Sequence, residues 1–150
     1  LGSQWIPIHS LTREEHFSAA HRLSIDEWSA EKNKAVFGKC ANQNFHGHNF
    51  LIKVTVKGEP DPQTGFAMNV TDLSDIMKEK IIERFDHKNL NVDVPDFLNR
   101  QPTCENLCIV IWELLEEEIV SNTNALLHQV RVYETPRMYV DYYGKEGVFK

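Results

Sequence analysis

The sequence predicts a single α+β domain in which a four-stranded antiparallel sheet is covered on one face by two helices. Segments with the two-residue periodicity of β-strands lie toward both ends of the chain. Two segments with helical periodicity lie between them. Strands and helices that are segregated along the chain in this way favour an antiparallel sheet with its helices packed on one face.

The composition is typical of a globular domain. The chain has 150 residues, 41% of them hydrophobic and 25% charged, so one domain over residues 1–150 is expected, with residues 1–8 as a flexible or cloning-derived start. The formal charge of −6 argues against a broad basic surface for nucleic acid or membrane lipid. The longest apolar run, Leu107 to Trp112, is too short to cross a bilayer, and a cytoplasmic location is the default prediction.

The first half of the chain predicts two paired strands. Residues 10–22 form the first, and residues 49–57 form the second, because apolar side chains occupy every second position from Phe50 to Val56. Residues 58–65 are rich in glycine and proline and predict a turn. Residues 24–39 are predicted to be a long connection, which in a compact domain is often functional.

The second half predicts two helices and two further strands. The first helix is expected over residues 72–85, with the Asp72 side chain accepting from its free amides. The second begins near Thr103. Alternating residues over 129–133, a turn, and residues 138–143 then predict the last two strands.

His46 and His48 give the strongest local indication of chemistry. Residues two apart on a strand project to the same side, so both imidazoles could bind one ion. A catalytic zinc needs a third donor and one open position, and His21, at the end of the preceding strand, is the candidate. The alternative interpretation is that the two histidines are ordinary surface residues.

Cys40 differs in its surroundings from Cys104 and Cys108, which lie in the second predicted helix. An odd cysteine count in a chain of this size favours reduced thiols. Near a divalent cation, Lys39 and imidazoles, the pKa of the Cys40 thiol would fall, and the thiolate could act as a base or nucleophile. It could equally be a fourth zinc ligand that closes a structural site, and the spacing to His46 does not separate the two.

Five other polar residues have both a structural and a functional interpretation. Asp86 could hold one nitrogen of His87 so that the other exchanges protons, or the two could simply end a helix. Thr103 could cap the second helix and Glu105 could complement its dipole. Glu134 is either a solvated acid or, if buried, a carboxylate suited to adjacent N–H donors on a guanidine-like ring.

Four segments, taken together in this order, resemble the 6-pyruvoyl-tetrahydropterin synthase family of animals. The segments are Phe17–Leu23, Phe37–Asn49, Asp86–Leu90 and Val132–Thr135. The resemblance covers residues 12–146 and implies the tunnelling fold. It also implies a homohexamer, a dimer of trimers, with active sites between subunits.

The activity implied by the resemblance is that of a zinc-dependent carbon–oxygen lyase of tetrahydrobiopterin biosynthesis. It would convert 7,8-dihydroneopterin triphosphate to 6-pyruvoyl-tetrahydropterin with elimination of triphosphate, and Mg²⁺ would accompany the triphosphate. The roles implied by position are zinc ligation for His21, His46 and His48, catalysis for Cys40, Asp86 and His87, and pterin binding for Glu134, Thr103 and Glu105.

Two alternatives remain open. One is an enzyme like 6-carboxy-tetrahydropterin synthase, although the intact thiol of Cys40 and the five-residue gap to His46 favour the pyruvoyl enzyme. The other is a non-catalytic zinc module with Cys40 as fourth ligand. Phe45 departs from the family pattern, since glycine is expected there, and a bulky ring beside His46 is expected to alter the approach of the substrate side chain.

Overall fold

The computed structural model describes residues 7–145, so most of the predicted flexible start, residues 1–8, lies outside the described residues. No helix in this range is long and apolar enough to cross a bilayer. The elements, in chain order, are β1 (His9–His21), α1 (Ala30–Phe37), β2 (His46–Gly58), α2 (Val70–Met77), α3 (Glu83–Phe85), β3 (Lys88–Asn89), α4 (Cys104–Asn122), β4 (Leu126–Thr135) and β5 (Met138–Tyr142).

The sheet has five strands in the order β3-β1-β2-β4-β5. The four long strands pair antiparallel, as predicted. The predicted four-stranded antiparallel sheet is nevertheless wrong, because β3 adds a fifth strand parallel to β1. A two-residue strand has no alternation to detect; it is held at the edge because the Leu90 N–H donates to the Ala20 carbonyl at 2.8 Å.

The helices α2, α3 and α4 pack against the sheet, and the core lies between the two layers. The alternate side chains that are buried in this core include Phe17 and Ala19 on β1, and Phe50 and Ile52 on β2. The rings of Phe17 and Phe50 stack with centroids 5.1 Å apart. Burying a phenylalanine contributes about 1.5–3 kcal/mol, so this pair fixes the register of the strand ends that carry the candidate site.

The helix predicted over 72–85 begins earlier and contains a wider turn. Asn69, rather than Asp72, accepts from the first free amides. Between α2 and α3 the chain makes a π-helical turn, Lys78–Ile82. Fully buried apolar residues follow one another at intervals of four: Leu73, Met77, Ile81 and Phe85. In an α-helix this spacing drifts by about 40° per interval, and the wider turn keeps all four on the core face.

The predicted connection over residues 24–39 contains α1. Ser29 caps this helix by accepting from the Lys32 amide. The buried Asn33 side chain accepts from the Ile25 N–H at 2.8 Å and donates to its carbonyl at 2.9 Å. These contacts fold the connection back on itself beside the end of β1.

Candidate metal centre and catalytic site

Three histidines converge at one end of the core layer because of the register of β1 and β2. His21 lies directly opposite His46, and His48 lies opposite Ala19. All three imidazoles project from the core-facing side, with ring centroids 4.5 to 5.1 Å apart. One nitrogen from each ring lies within 4.8 Å of the other two, so the three residues could hold one metal ion.

The hydrogen bonding of these rings fits a metal. The His21 Nδ1–H donates to the Pro102 carbonyl at 2.8 Å, which leaves Nε2 with its lone pair. This nitrogen, both nitrogens of His46 and Nε2 of His48 are buried and have no hydrogen-bond partner within residues 7–145. Since buried polar atoms are normally paired, unpaired nitrogens on three converging rings indicate a ligand.

Burial also favours the protonation state that binds metal. It is the main reason that the pKa values of His21, His46 and His48 all lie below the ordinary histidine value. The rings are therefore neutral near pH 7, and neutral imidazole is the form that ligates zinc. Three imidazoles are a common ligand set for catalytic zinc, so the donor set fits that metal.

The hydrogen bonds that hold the loop of Pro102, the partner of His21, could not be predicted from the sequence. Gln101 directly precedes Pro102, whose carbonyl accepts from His21. The Gln101 side chain accepts from the Ser24 N–H at 3.2 Å and donates to the Ser24 carbonyl. Asn106 donates to the Gln101 carbonyl at 2.9 Å. Partners of this kind fix the orientation of metal-binding histidines, but isolated amides in loops form no sequence pattern.

Glu134 is the next-to-last residue of β4, and its carboxylate lies close to His21 and His48. Its Oε1 atom is 3.4 Å from His21 Nε2 and 3.8 Å from His48 Nε2. Only 17% of the Glu134 side chain is exposed. The Glu134 side chain is therefore mostly shielded from solvent, which favours the interpretation of ring recognition over that of a solvated acid.

Cys40 lies in a short 3₁₀ turn, Gly38–Ala41, whose backbone is tied to the end of β1 by a hydrogen bond from the Leu23 N–H. The thiol is half-buried. Burial, followed by the charge of Glu134, raises the pKa of Cys40. Without a cation the thiol is therefore less acidic than the sequence analysis expects. Among the described residues, the group able to hold a metal contains the three histidines and no cysteine.

Phe45, the residue before His46, has a φ of 64°. This left-handed conformation suits glycine and costs other residues about 1–2 kcal/mol. The conformation arises where the chain turns from the Cys40 loop into β2, with the Phe45 N–H donating to the Asn42 carbonyl at 3.2 Å. This φ is a backbone reason to expect glycine at position 45.

We expect Phe45→Gly to be more stable than Phe45→Ala by about 1 kcal/mol, the reverse of the usual order of these residues. Both variants remove the ring, but only glycine relieves the backbone. Urea unfolding of the two variants side by side measures the difference. Equal stabilities, or a more stable alanine variant, would contradict the strain.

Asp86 and His87 form a pair at the end of α3. The Asp86 carboxylate accepts from the Ser18 N–H at 2.9 Å, and its other oxygen lies 2.8 Å from His87 Nδ1. His87 has a φ of 59°, and this tight turn lets the adjacent side chains meet. Its side chain is 84% exposed. Within residues 7–145, no hydrogen bond joins the pair to Cys40.

His87 borders a cavity of about 550 Å³ beside the ends of β1 and β2 that carry the histidines. His48 and His87 both line it, together with Lys88, Asn89 and Asp93. Of the three histidines that could hold a metal, His48 alone lines this cavity.

Asp86 is expected to make stability depend on pH in acid. The Ser18 N–H, followed by the His87 side chain, holds the pKa of Asp86 below its ordinary value. Such a carboxyl stabilises the fold above its unfolded pKa of about 3.9 and loses that contribution as pH falls through the lower folded pKa. Asp86→Asn is therefore less stable at pH 7, and its free energy of unfolding falls less steeply below about pH 5.

Urea unfolding at a series of pH values measures this. Asp75→Asn, which removes the same charge from an exposed position on α2, is the control and should follow the unmodified protein. An Asp86→Asn variant with an unchanged slope would contradict the role of the pair.

Thr103 and Glu105 lie at the start of α4. Thr103 caps the helix, with its hydroxyl accepting from the Asn106 N–H at 3.2 Å, and Glu105 is exposed in the first turn. The pKa of Cys104, the first residue of α4, is raised to about 12 by burial and then by the charge of Glu134. The start of α4 thus approaches the carboxylate at the metal-binding end.

Comparisons with known proteins agree with this geometry. The sequence profile of the family described as 6-pyruvoyl tetrahydropterin synthase matches residues 10–145. The chain is 44% identical over 135 residues to the 6-pyruvoyl tetrahydrobiopterin synthase of Homo sapiens, covering 90% of this chain and 91% of that protein. It is 41% identical over 138 residues to that of Drosophila melanogaster, covering 92% and 81%.

A solved structure shows the same fold. The structure of Caenorhabditis elegans 6-pyruvoyl tetrahydropterin synthase superimposes with a TM-score of 0.85 at 37% sequence identity, covering 93% of this chain and 98% of that one. The chain therefore belongs to the 6-pyruvoyl tetrahydropterin synthase family.

Proposed function

We propose that this chain is a zinc-dependent lyase that converts 7,8-dihydroneopterin triphosphate to 6-pyruvoyl-tetrahydropterin with elimination of triphosphate, a step of tetrahydrobiopterin biosynthesis. Family membership and the names of relatives support the reaction. The observation that carries the zinc dependence is the set of buried, unpaired nitrogens on His21, His46 and His48. When bound there, zinc supplies Lewis acidity to the hydroxyl oxygens of the substrate side chain.

The residues around the metal position the substrate and move protons. Glu134 accepts from the adjacent N–H groups of the pterin ring, and Thr103 and Glu105 assist at the start of α4. Cys40 takes a proton from the side chain of the substrate. The Leu23 N–H, two residues after His21, donates to the Cys40 carbonyl at 2.8 Å, and this tie between the Cys40 loop and the end of β1 supports that role.

Asp86 and His87 return a proton. The Asp86 carboxylate accepts from His87 Nδ1–H, which leaves Nε2 as the exchanging nitrogen. Because His87 is 84% exposed and makes no hydrogen bond to Cys40, we propose that the pair completes an active site with a neighbouring subunit. A site shared between subunits agrees with a homohexamer of two trimers. The proposal also includes the tunnelling fold and one domain over residues 1–150.

Three further parts of the proposal concern surroundings. Mg²⁺ accompanies the substrate triphosphate. The ammonium group of Lys88, which lines the cavity beside His87, attracts the negative charge of the triphosphate. The only partners proposed are the small-molecule substrate and further copies of the chain. We propose a cytoplasmic location.

Incubation of the zinc-loaded protein with 7,8-dihydroneopterin triphosphate tests the function. We expect release of inorganic triphosphate and a product whose mass corresponds to a pyruvoyl side chain. A carboxyl product would instead identify the alternative 6-carboxy-tetrahydropterin synthase activity. Zinc binding without turnover of the substrate would favour the non-catalytic module and contradict the proposal.

A further inference from the structure

The position of Glu134 presents an electrostatic problem that a bound cation would solve. Its Oε1 atom faces His21 Nε2 at 3.4 Å and His48 Nε2 at 3.8 Å. The His21 ring donates through Nδ1 to Pro102, so in the neutral ring Nε2 is an acceptor. Two acceptors that face each other at this distance repel unless a positive charge lies between them.

The spacing of these atoms matches a set of zinc donors. Zinc binds imidazole nitrogen at about 2.0–2.1 Å and carboxylate oxygen at about 2.0–2.2 Å in a tetrahedron, which places neighbouring donors about 3.3–3.5 Å apart. The distance from Glu134 Oε1 to His21 Nε2 falls in that range, and the distance to His48 Nε2 is slightly longer. The carboxylate therefore lies where a fourth donor would.

The same carboxylate is the group proposed to bind the pterin ring, and pairing with two adjacent N–H groups engages both of its oxygens, so Oε1 is then not available to the metal. We propose that Glu134 is a fourth, exchangeable metal ligand: it binds the metal when the site is free of pterin and leaves when the ring's N–H edge pairs with it. The metal position needed for the substrate then opens only for a ligand that carries such an edge. This inference rests on the proposed function for the identity of the metal and of the ring.

Metal affinity is the first test. We expect Glu134→Gln to bind zinc about 10-fold or more weakly than the unmodified protein in competition with a chromogenic chelator. Glu117→Gln removes the same charge from the exposed side of α4 and should bind zinc within about twofold of the unmodified protein. A correctly folded Glu134→Gln protein, judged by circular dichroism, that keeps full zinc affinity would overturn the inference.

A spectroscopic test needs no variant. Cobalt replaces zinc, and its visible absorption changes when its ligand set changes. We add pterin without a side chain, 2-amino-4-oxopteridine, which has the ring edge but no hydroxyls to bind the metal. The cobalt spectrum of the unmodified protein should change toward that of the cobalt-loaded Glu134→Gln protein. An unchanged spectrum at saturating pterin would overturn the exchange.

The result for the ligand exchange can be separated from the result for the proposed reaction. Turnover of the triphosphate substrate together with an unchanged cobalt spectrum would remove only the ligand exchange. The expected spectral change without turnover would keep the exchange and remove the proposed reaction. Failure of pterin to perturb either the cobalt spectrum or its own fluorescence counts against the exchange.

Discussion

Replacement of Cys40 by alanine is expected to abolish measurable turnover of 7,8-dihydroneopterin triphosphate while the protein retains its zinc. A positioned proton-transfer group contributes about 10²–10⁴ in rate, and the Cys40 thiol, in the loop hydrogen-bonded to the end of β1 after His21, is the group that removes the proton in the proposed mechanism. Triphosphate release and zinc content are measured on the same preparation. Cys40→Ser should be similarly inactive, because a hydroxyl is a much weaker acid than a thiol.

Cys108→Ala is the matched control for Cys40→Ala. Cys108 is a buried thiol in α4 whose pKa is raised to about 12, mainly by burial, and the mechanism does not use it. This variant should keep turnover within about threefold of the unmodified protein, while any loss of stability appears in thermal unfolding. If Cys40→Ala kept near-full turnover, or lost its zinc, the catalytic assignment of the thiol would be wrong.

The second large effect concerns metal binding. We expect His46→Ala to lower zinc affinity by more than about 100-fold and to eliminate turnover, because two imidazoles remain where three are needed. Competition with a chelator, followed by metal analysis after desalting, measures the affinity. His21→Ala would be harder to interpret, since His21 is fully buried and its loss also frees the Pro102 carbonyl.

His16→Ala is the control for His46→Ala. His16 is an exposed histidine of β1 on the face of the sheet opposite the core, paired with Leu51 of β2. It should keep both zinc and turnover. Zinc affinity that falls equally in the two variants, or in neither, would show that the metal is not held by the three histidines.

The long strands could be predicted because one face of each is buried. The alternation from Phe50 to Val56 identifies β2, and pairing β1 with it brings His21 opposite His46, as the structure shows. The proximity of Glu134 to the same point could not be predicted from its flanking residues. It depends on β4 packing beside β2 rather than beside β1, and pairing order leaves no local pattern.

The elements that were missed lack periodicity for a physical reason. The edge strand β3 contains two residues, and α1 is mostly exposed, with Asn33 as its single buried residue. Neither carries an apolar pattern. The contact between Asp86 and His87 depends on a left-handed φ at His87, which a non-glycine residue adopts only where the surrounding structure imposes it.

X-ray absorption at the zinc edge of the metal-loaded protein tests whether the three histidines, without Cys40, bind the metal, because it reports the atoms bound to the metal. The account predicts scattering from imidazole rings and from nitrogen or oxygen donors at about 2.0–2.2 Å. It predicts the same spectrum for the Cys40→Ala protein. A sulfur donor at about 2.3 Å, or a spectrum without imidazole scattering, would contradict it.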